Sequence, residues 1–445
     1  MPYPGHLLIF ATVTDRRYKD EMKWRNQLLA LFCLLAFAGL GVLYFQHWVI
    51  RKPFGIILFV GEGLAPGRLA ATRAFAGGAD NRLSLDSMPN AALLINCSKD
   101  FAAPDQAAAA TAISTGVRVP NRVIATNPDM SGIKSLIELA REYGRATGLV
   151  TDAKLTNPTS AAFYAHPTDP NDTASIAPEF VNGAKIDITM GGGAAEFLPT
   201  AKGGERQDGR DLLLDLRRNG YDIVQTRAEL EAVPAWRRSK LFGVFSKTEL
   251  AFTNQVEERS QQPSLSDMVR RAIELLQYNA GGYFLVVDAG LMRIAALENN
   301  AERTFSQTIE LDRAVAVARN YAGAKATIIV CGDVAISGLS LNGFPFRQDS
   351  GIALLGFNAA GQPWITWATG PNGTTSYGAA KVPGNPNGNG NEQASVEQRE
   401  PAAVYTKAAL VTVDDVIAFG SGPGTADLRG VLDNTKIFEI IRDAL

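Results

Sequence analysis

Histidine is nearly missing from this chain: 3 in 445 residues. His6 precedes an apolar run near the N-terminus and His47 lies at the far edge of that run, which leaves His166 alone in everything that follows. A zinc centre that relies on imidazole therefore has at most one to draw on. Cysteine is as scarce, with Cys33 inside the apolar run and Cys97 and Cys331 in the body. That excludes a disulfide framework; the two body thiols either form one bridge in an oxidising compartment or stay buried and free. Charge is nearly balanced, at a net −2, which argues against a nucleic-acid partner. Internal repeats are absent as well.

What is present begins with a long hydrophobic run. Residues 28–49 are apolar apart from Gln46 and His47, long enough to cross a bilayer as a helix. Arg16, Arg17, Lys19, Lys23 and Arg25 precede the run, and Arg51 and Lys52 follow it. This bias places residues 1–26 in the cytoplasm, a signal anchor at 27–49, a linker at 50–54 and the bulk of the chain outside. The expected location is the inner (plasma) membrane, with the body on its periplasmic or extracellular side. A cleaved signal peptide is the alternative, but no small-x-small cleavage site follows the run. Met22, followed by Lys23-Trp24-Arg25, makes a second acceptable start.

From residue 55 on, continuous apolar runs predict strands buried on both faces, at 55–61, 146–151, 186–190, 283–288, 326–333 and 416–420. Helix-period segments alternate with them at 135–143, 208–219, 264–279, 301–322 and 435–445. The fold class is therefore α/β, a mostly parallel sheet between helices, with ligands at the carboxyl ends of its strands. Residues 369–400 break the pattern: rich in Gly, Pro and Asn, they read as a long surface loop in an otherwise single domain.

One further stretch organises the rest. Pro104 and Asp105 stop and cap, and the small residues from Ala107 to Ala112 form a helix buried by its smallness. The residue just after the cap sits at the positive end of that helix, where an anion or a nucleophile is placed. That residue is Gln106. The run resembles the nucleophile helix of the alkaline phosphatases, whose pattern is Asp-Ser-Ala-Ala-x-Ala-Thr-Ala, two residues, then Thr-Gly-Val-Lys. Gln106 falls on the serine, and an amide does not attack phosphorus. Collinear blocks extend the resemblance over nearly all of 54–445: Ala146-Thr147-Gly148-Leu149-Val150-Thr151, Ala161-Ala162-Phe163-Tyr164-Ala165-His166, Gly191-Gly192-Gly193, Asp208-Gly209-Arg210-Asp211-Leu212, Pro263-Ser264-Leu265 and Leu341-Asn342-Gly343-Phe344-Pro345.

The resemblance implies a phosphomonoester hydrolase with two zinc ions and one magnesium. Its zinc ligands are missing here. The family's zinc aspartate and histidine fall on Arg293 and Leu297. A further Asp-His pair becomes Asp333-Val334, and the last histidine becomes Val411. The phosphate arginine falls near Pro170. The magnesium ligands map to Glu62, Thr159 and Asp288, one carboxylate a methylene longer than the family's and one a methylene shorter. With Asp333 they make a remnant oxygen site that admits magnesium or calcium; no zinc is expected. Ser114 and Thr115 lie about two turns deeper in the helix and offer no replacement nucleophile.

The expectation is a membrane-anchored pseudoenzyme that binds or scaffolds, through its old cleft or its Gly/Asn loop, an unidentified protein or a phosphate-type ligand. The alternative is a residual phosphomonoester hydrolase on an oxygen-ligated magnesium or calcium. Family members are commonly dimers, so the resemblance suggests a homodimer. Simpler readings stand beside these: Asp105 as a cap only, Thr159 as a turn hydroxyl, Asp333 paired with Arg293, Gly191 to Gly193 as a structural turn, His166 as a packing residue.

Overall fold

The computed structural model describes residues 8–44, 54–167, 169, 171–236, 240–343, 351–358, 360–373 and 400–445. They divide into two units, residues 1–52 and 53–445, taken separately here.

The first unit is one helix, Leu8–Tyr44. Leucine and alanine favour helix, and Lys23–Val42, with a mean hydropathy of 1.6, is long and apolar enough to span a membrane. That window starts earlier than the expected 27–49, and residues 45–53 lie outside those described.

The second unit is built on a ten-stranded sheet. Its strands are β1 (Gly55–Gly61), β2 (Asn90–Ile95), β3 (Ala146–Lys154), β4 (Ile188–Gly192), β5 (Asp222–Val224), β6 (Leu241–Val244), β7 (Tyr283–Ala289) and β8 (Thr327–Gly332). Five short strands, β9 (Ala335–Ile336), β10 (Ser340–Leu341), β11 (Ile365–Gly370), β12 (Ala402–Tyr405) and β13 (Val411–Thr412), form two small sheets; β14 (Val416–Ser421) and β15 (Arg429–Asp433) return to the large one. Its order is β15-β2-β14-β8-β1-β7-β3-β4-β6-β5, and β14 alone runs antiparallel to its neighbours.

Alternation along the central strands explains the layers. Ile56, Leu58 and Val60 of β1 enter one hydrophobic cluster with Ala107, Ala110 and Ile113 of the Gln106–Thr115 helix; Ile57 and Phe59 enter the other, with Leu265, Met268 and Leu311. Successive side chains of a strand point to opposite faces, so a strand apolar at every position must be covered on both. A third cluster, around Val334, Phe305 and Trp367, lies under the small sheets.

Every expected strand and helix is present; the strand at 55–61 and the helix at 301–322 keep their bounds, and the others have shifted ends. The strand expected at 186–190 runs Ile188–Gly192, and the helix expected at 208–219 is only Leu212–Arg218, because Asp211 caps it. Strands β2, β5, β6 and β15 and the Pro66–Gly77 helix were not expected. The loop is narrower than 369–400: Thr369 and Gly370 finish β11, and Glu400 is buried at the start of the return. Residues 374–399 lie outside those described. Cys97 and Cys331 are free thiols.

Candidate functional site

Four neighbouring strands of the sheet, β3, β7, β1 and β8, end side by side, and each delivers a polar group. Thr151 and Asp152 lie near the end of β3, Asp288 is the last residue but one of β7, and Glu62 and Asp333 directly follow β1 and β8. Register fixes them together: Thr151 pairs with Asp288, Val60 with Asp288, and Gly61 with Gly332. All five side chains are buried. Carboxyl ends of parallel strands are where such sheets hold ligands.

Over this cluster stands the Gln106–Thr115 helix. Asp105 caps it, accepting from the Ala108 N–H at 2.9 Å, and its other oxygen accepts from the Arg122 N–H at 2.6 Å. The cap fixes the direction in which Gln106 leaves the helix. The Gln106 Nε2 donates to Glu62 Oε1 at 2.6 Å and to Thr159 Oγ1 at 2.9 Å. Glu62 Oε2 is taken from the other side by Arg293 Nε, also at 2.6 Å. Both oxygens of the central carboxylate are thus bonded to the protein's own nitrogens. Buried charge needs such pairing.

Around this core the remaining groups are arranged in a second ring of bonds. Asp333 Oδ1 accepts from the N–H groups of Gly63 (3.1 Å) and Val334 (2.6 Å), and Thr159 Oγ1 reaches its Oδ2 at 3.4 Å. Asp333 therefore rests on backbone donors; the ion pair of Arg293 is made with Glu62, not with Asp333. Asp288 Oδ2 accepts from Thr151 (3.0 Å) and Ser160 (2.8 Å), while its Oδ1 is buried with no donor facing it. Asp152 Oδ1 accepts from the Leu291 N–H at 2.9 Å. Arg68 lies below Gly63 and donates to the Glu62 carbonyl at 3.0 Å. Gly63 has φ +86°, and a Cβ there would stand 2.6 Å from the Arg68 guanidinium, so only glycine lets that side chain through.

Burial dominates the electrostatics. It pushes Asp152 and Asp333 up to about 7, with the charge of Glu62 adding to each. Asp288 is held well above the usual carboxylate range, first by burial and then by the charge of Glu62. Burial also lowers Arg68 to about 10, against the pull of Asp333. For Arg293 burial opposes the charge, but Glu62 outweighs it and the pKa rises.

Of the four positions expected to have lost zinc ligands, Arg293 pairs with Glu62, and the other three lie in apolar packing. Val334 is fully buried in the third hydrophobic cluster, and Leu297 and Val411 pack against that same cluster. No nitrogen or sulfur donor stands there, and zinc prefers both. Among the described residues no three His, Cys, Asp or Glu side chains are gathered to hold a metal ion. A zinc pair does not fit this donor set. The remnant oxygen set, Glu62, Thr159 and Asp288, is brought together as expected, but two of its oxygens already bond one amide nitrogen.

The remaining expectations resolve simply. Ser114 and Thr115 bond back to the Thr111 carbonyl inside their own helix, so neither faces the cluster. The N–H groups of Gly193, Ala194 and Ala195 go to carbonyls of Thr248, Ser246 and Lys247, making Gly191 to Gly193 a structural turn. His166 ties a loop to a helix: its Nδ1 lies 2.8 Å from the Ala125 carbonyl and its Nε2 3.5 Å from Glu138 of the Leu136–Glu142 helix, whose hydrogen bond raises its pKa. Pro170 is outside the described residues. Sequence reading missed Arg68, Asp152 and Ser160 and gave Thr151 no role. Thr151 and Asp152 end a strand already recognised and Ser160 adjoins Thr159, so strand-end position was the available signal.

Comparison with known proteins fits this geometry. A model of the family described as alkaline phosphatase matches residues 55–445. The chain belongs to the alkaline phosphatase family. Alkaline phosphatase H of Pseudomonas aeruginosa (strain UCBPP-PA14) is 28% identical over 443 residues, covering 89% of this chain and 86% of that protein. The tissue-nonspecific alkaline phosphatase of Gallus gallus is 26% identical over 482 residues, covering 97% and 90%. Alkaline phosphatase 3 of Bacillus subtilis (strain 168) is 32% identical over 223 residues, a match of 49% of this chain and 46% of that protein. Among solved structures, the alkaline phosphatase of Thermus thermophilus shares the fold at a TM-score of 0.69 and 23% identity, over 89% of this chain and 92% of that one. Within the alkaline phosphatase fold, the side chains described above lie at the ends of β3, β7, β1 and β8, next to the start of the Gln106–Thr115 helix.

Proposed function

We propose that this chain is a membrane-anchored member of the alkaline phosphatase family that has given up phosphoester hydrolysis and acts by binding or scaffolding. One observation carries the reading: where the helix start aims a side chain at the carboxylates, the group is the Gln106 amide, bonded at 2.6 Å to Glu62. An amide nitrogen is no nucleophile toward phosphorus, and the hydroxyls deeper in the helix face inward. Arg293 neutralises the same carboxylate without a metal. The Lys23–Val42 helix supports the anchor, and the basic residues before it support an outward-facing body. The partner is a protein or a phosphate-type ligand, with a homodimer as the assembly.

A residual hydrolase working on an oxygen-bound magnesium or calcium is the rival. It requires Glu62 Oε1 and Thr159 Oγ1 to be released from Gln106. The full chain in detergent, given p-nitrophenyl phosphate across pH with zinc, magnesium, manganese or calcium, should turn over no faster than a Gln106→Ala control. Metal-dependent turnover above that control rejects the proposal.

A further inference from the structure

The four strands whose carboxyl ends hold the buried cluster begin, at the opposite end of the sheet, behind aromatic side chains. Phe54 directly precedes β1, and Tyr143 and Tyr278 stand shortly before β3 and β7. Tyr321 lies in the last turn of the Ala301–Ala322 helix, ahead of β8. All four are exposed, from 42% for Phe54 to 60% for Tyr143. Because β8, β1, β7 and β3 are successive parallel neighbours, their starts form one row. Hydrogen bonds hold the row together: Arg145 donates to the Phe54 carbonyl at 3.2 Å and to the Ala444 carbonyl at 3.1 Å, and Asn279 Nδ2 donates to the Gly144 carbonyl at 2.9 Å. Single exposed apolar side chains are ordinary, but several gathered at one end mark a surface that is covered by something.

Charge and chain connection say what covers it. Exposed Lys185, Lys240 and Lys325 shortly precede β4, β6 and β8. The acids that adjoin the row in sequence, Glu142 and Asp443, are each paired with a cation, Lys134 at 2.7 Å and Arg442 at 2.9 Å. In the sequence the apolar run ends at Val49, and only residues 50–53 separate it from Phe54, about 18 Å of fully extended chain. A chain that leaves a bilayer there enters this unit at the aromatic row, not at the carboxyl-end cluster.

We propose that the amino end of the large sheet is a membrane-docking face: the rings of Phe54, Tyr143, Tyr278 and Tyr321 lie in the headgroup zone of the bilayer, the three lysines reach lipid phosphates, and the carboxyl-end cluster is turned toward water. Tyrosine suits that zone because its ring is apolar and its hydroxyl polar, and lysine because its apolar stem lies along the surface while its ammonium reaches out. The proposal rests on the anchor reading and adds which end of the body meets the lipid.

The test uses the full chain, one per lipid nanodisc of phosphatidylcholine with phosphatidylglycerol. Cys33→Ser and Cys97→Ser remove the accessible thiols, and Cys331 is buried. Spin labels are placed singly on Gln277→Cys and Asn320→Cys, exposed neighbours of Tyr278 and Tyr321, and on exposed Val413→Cys, next to β13, which pairs with β9 just past Asp333. Power saturation with oxygen, which gathers in lipid, and with a nickel chelate, which stays in water, reads each environment. The first two labels should gain oxygen collisions and lose nickel collisions relative to the third. Tyr278→Ser together with Tyr321→Ser should abolish that difference and leave the Tm unchanged, since both rings are exposed. Labels at 277 and 320 as aqueous as the one at 413 overturn the proposal. So does a loss of collisions with both reagents, which a second copy or another protein over the face would give, and so do labels that stay in lipid when both tyrosines are gone. Flotation with vesicles tells this apart from the anchor reading: a full chain that fails to float rejects the anchor, whereas one that floats with aqueous labels rejects the docking face alone.

Discussion

At the scale of single residues, the pocket is decided by how Glu62 is satisfied. Its two oxygens face Gln106 and Arg293, and it is fully buried. Removing one partner of a buried pair strands the other charge, which costs more than the pair contributes. Arg293→Ala should therefore destabilise by about 3 kcal/mol, read by urea unfolding. Adding Glu62→Gln to it should recover part of that loss; an additive or worse double variant would show that the two side chains do not depend on each other. Much of this was legible beforehand. Gln106, Glu62, Arg293, Leu297, Val334 and Val411 each fall in a short motif whose neighbours are recognisable, so each could be singled out from the sequence. Arg68 could not, because its role depends on a left-handed Gly63 that lets the side chain pass under the backbone. Nor could Ser160, whose hydroxyl meets Asp288 across 128 residues of sequence.

At the scale of elements, two caps set the geometry. Asp105 holds both the helix start and the Arg122 loop, so Asp105→Ala should cost about 1–2 kcal/mol and loosen Gln106 along with it. Unchanged stability in chemical denaturation would contradict this. Glu400 performs a similar task at the Ala301–Ala322 helix: its Oε2 accepts from the Ala301 N–H at 2.8 Å and its Oε1 is buried without a donor. Burial pushes this carboxyl up from 4.5 to about 7. A raised folded pKa means that the folded chain binds the proton more tightly. The resulting stability is complete below about pH 4.5 and is lost as pH rises through about 7. Glu400→Gln should thus flatten that part of the pH profile relative to the native chain and gain on the order of 1–3 kcal/mol at pH 8. Asp152 and Asp333 rise in the same window, so the difference between variant and native is the quantity to read. Elements buried on both faces were legible as unbroken apolar runs. By contrast the two edge strands, β5 (Asp222–Val224) and β15 (Arg429–Asp433), are short, partly exposed and carry no such run. Tertiary pairing, not local pattern, makes them strands.

At the scale of the whole molecule, the chain is an apolar helix and a large α/β unit. If residues 23–42 anchor it, the full chain should stay with membranes through an alkaline carbonate wash, and a chain lacking residues 1–52 should be released. Release of the full chain would remove the anchor from the account. Composition already carried the main constraint on chemistry, since 3 histidines in 445 residues leave only His166 in the body. In the fold this histidine stands between the Ala125 loop and the Leu136–Glu142 helix, and Leu297, Val334 and Val411 lie in apolar packing. The most direct test is anomalous diffraction at the zinc edge from crystals grown with zinc and magnesium. The account predicts no zinc peak in the pocket and the Gln106 amide between Glu62 and Thr159. Two zinc peaks beside Glu62 and Asp333, with Gln106 swung away, would contradict it.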